Sequence, residues 1–84
     1  MKVTKGFKMI TAAQIRAARA LVEWSQIDLA EQAGLSRPTI KRMESKGPGS
    51  STASNVDAVQ RALETAGVEF IPENGGGPGV RLRK

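Results

Sequence analysis

Apolar residues recur at helical spacing in four stretches of the chain, each opened by a Ser or Thr, and at strand spacing near the end. Thr11 stands three residues before Gln14, flanked by Ile10 and Ile15, a capping box inside a hydrophobic staple. The pattern predicts a first helix to about Val22 with Ile15, Ala18 and Val22 turned to the core, Arg16 and Glu23 toward water, and Arg19 near the seam. Ser25 with Asp28 repeats the box, with Trp24 and Leu29 as staple, and predicts a second helix over 26–33. Gly34 follows where a chain must turn through the left-handed region. Ser36, between Leu35 and Ile40, caps a third helix over 37–45, with Pro38 tolerated in its first turn and Gly47 and Pro48 ending it. Residues 47–54, rich in Gly, Ser and Thr, read as a surface loop. Ser54 with Asp57 predicts the fourth start, and Val56, Val59, Leu63 and Ala66 form its apolar stripe before Gly67.

The period then changes. Residues 68–71 and 80–83 are short β-prone runs separated by Pro, Asn and glycines, which predicts a hairpin whose loop includes an Asn74-Gly75 turn. Val68 and Phe70 can pair with Val80 and Leu82 inside one chain, or one strand can add to a second copy. Gly75, Gly76 and Gly77 lack the Gly-Lys-Ser/Thr and helix of a phosphate loop, so they read as a flexible tip. The expected fold is mainly α, four helices with a C-terminal β-hairpin. Residues 1–9 read as a flexible basic arm, 10–67 as one helical domain, and 68–84 as a hairpin tail suited to dimerisation.

An 84-residue chain buries only roughly 60% of its unfolded surface. The absence of cysteine and histidine removes disulfides and the usual zinc ligands, so a second copy is the expected source of extra core and neither metal nor cofactor is expected. The few acids are dispersed on helical surfaces, so catalytic residues are not expected and an enzyme is disfavoured. Residues 1–10 show no apolar run suited to a signal peptide, and no later stretch suits a membrane span, so a cytoplasmic location is expected.

Thirteen Lys+Arg against eight Asp+Glu give +5, and the placement of the charge says more than its total. Lys2, Lys5 and Lys8 lie in the leading arm, Arg37, Lys41, Arg42 and Lys46 within ten residues, and Arg81, Arg83 and Lys84 at the end. Two short capped helices joined by a three-residue turn with glycine form a helix-turn-helix unit. On the third helix Ile40 and Met43 point inward, leaving Arg37, Pro38, Lys41, Arg42 and Ser45 on the outer arc. Arginine or lysine can bond guanine O6 and N7, and Pro38 can touch a thymine methyl. The plain alternative is a solvated charged face, which the capped bihelical unit makes less economical.

The run Ser25-Gln26-Ile27-Asp28-Leu29-Ala30-Glu31-Gln32-Ala33-Gly34-Leu35-Ser36-Arg37-Pro38-Thr39-Ile40-Lys41-Arg42-Met43-Glu44 resembles the signature of Cro/CI-type (lambda-repressor-like, XRE-family) helix-turn-helix domains, over roughly residues 10–66. The resemblance implies that Gln26 bonds a backbone phosphate, that Arg37, Pro38, Lys41 and Arg42 face bases, and that Arg19 pairs with Glu44. Thr39, Lys46 and residues 51–55, notably Ser51 and Asn55, are further phosphate candidates. Two features depart from the pattern: Pro38 stands where a small polar residue or glutamine is usual, and the hairpin replaces a fifth helix. The implied function is a DNA-binding transcriptional regulator, expected to be a homodimeric, nucleoid-associated repressor on a palindromic double-stranded operator. Two rival expectations are the antitoxin of a toxin-antitoxin pair and a protein-interaction module that keeps the fold without binding DNA.

Overall fold

The computed structural model describes residues 9–83; the reading of Lys2, Lys5 and Lys8 as a basic arm, and Lys84, lie outside them. Thr11 caps α1 (Ala12–Val22), its side chain accepting the Gln14 N–H while the Gln14 side chain accepts the Thr11 N–H. Ser25 and Asp28 make the same reciprocal cap on α2 (Gln26–Ala33). Ser36 caps α3 (Arg37–Lys46), which carries proline in its first turn and runs one residue beyond the expected end. Between α2 and α3, Gly34 takes φ 71°, and the Leu35 N–H returns to the Ala30 carbonyl at 2.9 Å. This left-handed closure turns α3 across α2.

The expected surface loop is more ordered than its composition suggests. Pro48 is buried and opens a 3-10 turn, Pro48–Ser50, so only the stretch beyond it is open. The fourth helix, α4 (Ala53–Thr65), is capped by Thr52, not by Ser54 as the spacing to Asp57 predicts. The Thr52 hydroxyl accepts the Asn55 N–H at 3.1 Å, and Asp57 instead meets Arg61 at 2.8 Å. Cap and helix start therefore both lie two residues earlier than that spacing predicts.

After Gly67 come β1 (Val68–Ile71) and β2 (Gly79–Leu82), antiparallel, with Val68 opposite Leu82 and Phe70 opposite Val80. The second strand begins one residue earlier than expected. Its connection is the expected long loop, over 72–78, but inside it the Glu73 carboxylate, in place of a tight Asn74-Gly75 turn, accepts the N–H groups of Gly75 and Gly77. The hairpin covers the helices, α1 beneath β2 and α4 beneath β1. Gln14, 5% exposed, fixes it there by donating to the carbonyls of Ile71 at 3.2 Å and Gly79 at 2.9 Å.

One core joins all these elements: Ile10, Ile15 and Ala18, then Leu29, Ala30, Ile40 and Met43, then Val56, Val59, Leu63 and Val68. Trp24 and Val22 pack on its margin. The staple pairs read from sequence thus meet in one interior.

Candidate nucleic-acid interface

The third helix divides cleanly. Ile40, Met43 and Glu44 are buried, while Arg37, Pro38, Lys41, Arg42, Ser45 and Lys46 are exposed. At 100° per residue, Arg37, Lys41 and Ser45 form one row and Pro38 and Arg42 the next. The Ser45 hydroxyl donates back to the Lys41 carbonyl at 2.9 Å, so it is folded onto its own helix.

Glu44, the only acid on this helix, lies inside, and a ring of donors surrounds it. The Arg19 guanidinium donates through Nε at 2.7 Å and Nη2 at 3.0 Å to its two oxygens, and the Gln26 side-chain amide donates to Oε1 at 3.0 Å. Arg19 also reaches the Trp24 carbonyl at 2.9 Å, and Arg16 reaches the Glu44 carbonyl at 2.6 Å. Burial pushes the Glu44 carboxyl up, but the Arg19 and Gln26 bonds with the Arg19 and Arg16 charges outweigh it and hold the group below the usual glutamate range. The carboxylate stays ionised, and its charge is spent inward instead of on the exposed arc.

The Arg19–Glu44 contact is therefore a two-pronged ion pair linking α1 to the end of α3. The engagement of Gln26 and Arg16 in the same network has no linear signal, because their partners lie 18 and 28 residues away. Gln26, half-buried at the start of α2, has one amide hydrogen committed to Glu44. That bond fixes the plane in which the rest of the amide is presented.

The other candidates are spread around this helix. Thr39 is half-buried, its N–H accepted by Ser36 and its hydroxyl 2.9 Å from the Ser36 hydroxyl. Lys46 is exposed at the end of α3. Ser51 and Asn55 are half-buried beside the α4 cap, and the Asn55 N–H is consumed by Thr52, leaving only its side chain for a ligand. No group of acids able to hold a metal ion occurs among the described residues, and no helix there is long and apolar enough to cross a membrane.

No curated protein matches the chain. A family model described as Helix-turn-helix matches residues 15–70, from the first buried isoleucine of α1 into β1. That family is one of DNA-binding regulatory domains, not of enzymes. With four helices among the described residues, two of them joined by the Gly34 turn, and a hairpin on their flank, the chain belongs to the Cro/CI-type, XRE-family helix-turn-helix proteins.

Proposed function

We propose that the chain is a sequence-specific repressor whose α3 enters the DNA major groove, with Arg37, Pro38, Lys41 and Arg42 against base edges. The observation that carries this reading is the division of α3: its acid is buried and neutralised, and its outward arc is left with cations and one small apolar step. With its side chains an α-helix is about 10–12 Å across. The major groove is about 12 Å wide, so one such helix fills it locally. Gln26, Thr39, Lys46, Ser51 and Asn55 would frame the helix on phosphates, which fix orientation without reading sequence.

Two copies on a palindrome supply the specificity that one short helix lacks, with half-sites about one helical turn, roughly 34 Å, apart. In this arrangement residues 10–67 read DNA and residues 68–84 serve pairing. Repression by occupancy requires no surface beyond these.

Selection of bound duplexes from a random pool, followed by titration of the winner at two salt concentrations, tests the proposal. A palindromic winner with a steep salt dependence is expected. Arg37→Ala should cost about 1–3 kcal/mol at a single base pair, whereas Lys46→Ala should weaken every sequence alike and reduce the salt slope by about one. Equal losses on all sequences from both variants would refute the assignment of base and phosphate roles.

A further inference from the structure

The hairpin has a phase as well as a register. The Arg83 N–H bonds the Gly67 carbonyl at 2.7 Å, and with Val68 opposite Leu82 the bonded pairs fall at Gly67/Arg83 and Glu69/Arg81. The pairs between them, Val68/Leu82 and Phe70/Val80, aim their backbone N–H and C=O groups outward. On β1 that outward set begins at Val68, which is fully buried. On β2 it consists of Val80 and Leu82, and among the described residues no hydrogen bond engages the backbone of either. Leu82 is 48% exposed, and Leu21, on the helix beneath β2, is 38% exposed. Open backbone groups and uncovered apolar side chains thus coincide along one strand.

We propose that the outer edge of β2 joins two copies of this chain, antiparallel about a two-fold axis at Arg81, into one continuous four-stranded sheet. This deepens, and rests on, the two-copy reading given above. With the axis at Arg81, Val80 of each copy exchanges both backbone bonds with Leu82 of the other, so every outward group of the strand is satisfied. Moving the axis to Val80 would set Leu82 against Pro78 of the second copy, which has no N–H to give. On the face turned to the helices, Val80 meets Leu82 of the second copy and the apolar layer runs on across the axis.

On the other face two arginines meet, and like charges opposite one another resist pairing. Within each copy Glu69 already bonds Arg81 through both oxygens, at 3.0 and 3.3 Å, which cancels that charge before the copies meet. Gly79, without a side chain, lies opposite Arg83 of the second copy and leaves room for it.

The chain has no cysteine among the 84 residues, so Arg81→Cys introduces a single thiol at the axis. There the two copies' Cα atoms come about 4.5 Å apart, within disulfide reach. Mild oxidation of this variant should give a covalent dimer, whereas Arg61→Cys, exposed on α4, should not. Leu82→Pro removes only an outward N–H and leaves the hairpin's own bonds, and should weaken dimerisation of the full chain at least roughly tenfold in sedimentation. Leu82→Glu, with the backbone intact, should do the same.

A dimer unaffected by both Leu82 variants and not cross-linked through Arg81→Cys would overturn the edge while leaving the two-copy reading standing. A chain that stays monomeric alone and on its operator would overturn both, and an edge filled only when a different protein is added would overturn the edge proposal.

Discussion

Two arginine–glutamate pairs of nearly the same geometry sit in very different surroundings. Arg19–Glu44 closes at 2.7 Å with side chains 22% and 4% exposed, and Arg81–Glu69 at 3.0 Å with 64% and 43%. The contact lengths are almost equal, yet the consequences are not. In the first, Glu44 has been taken out of water and Arg19 mostly so, and each has only the other, with the Gln26 amide on Glu44 and the Trp24 carbonyl on Arg19, to replace it. In the second, water competes with the bond throughout, and the pair adds little to folding. Bond length therefore says which atoms meet, and burial says what losing the meeting costs.

The sharpest way to break this contrast is Glu44→Ala. It strands the Arg19 guanidinium and the Gln26 amide at the joint of α1, α2 and α3, and should cost about 3 kcal/mol in urea unfolding. That is a large share of the stability of so small a domain. Next comes Gln14→Ala, which removes the polar link that holds the hairpin down. Losing its bonds to Thr11, Ile71 and Gly79 should cost about 2 kcal/mol in the same measurement, although no charge is involved.

Acid is a gentler probe. The folded Glu44 carboxyl lies below its ordinary value, so its contribution is complete above that value and is lost as pH falls through the lowered one. Unfolding followed from neutral pH downward should show this loss below about pH 4, and Glu44→Gln should flatten that limb. The Arg81 hydrogen bond also holds Glu69 low, but Glu69 is open to solvent. Glu69→Ala should leave the urea midpoint of the monomer essentially unchanged, the smallest effect of the set. A large loss there would mean that the hairpin is held by its ion pair instead of by Gln14.

The same contrast explains what could be read along the chain. Three of the four helix caps, Thr11, Ser25 and Ser36, stand where the local spacing puts them, because a cap is made within three or four residues. The fourth misled for an equally local reason: Ser54 and Asp57 have capping-box spacing, but Thr52 binds the Asn55 N–H and Asp57 turns to Arg61. Glu23 ends α1 in the left-handed region at φ 59°, a place where the chain elsewhere uses glycine, so no residue type marks it. The exposed arc of α3 was legible from helical period alone. The double duty of Gln14 and the commitment of Gln26 to Glu44 were not, since both depend on segments brought together only by the packed core. The long loop after β1 was legible from the spacing of the two β-prone runs, but its internal order was not: Asn-Gly suggests a tight turn, and the Glu73 carboxylate gathers the glycine amides into a wider one.

Gln14 ties together events that would otherwise be separate. Its side-chain oxygen accepts the first amide of the α1 cap while its nitrogen holds the mouth of the hairpin. Fraying of the helix start thus releases the hairpin, and lifting the hairpin loosens the helix start. Terminal segments ordinarily open alone and at little cost in free energy. Here both ends of the described chain share one opening reaction, so the Thr11 amide and the hairpin amides should trade hydrogen for deuterium in step, as a single cooperative unit.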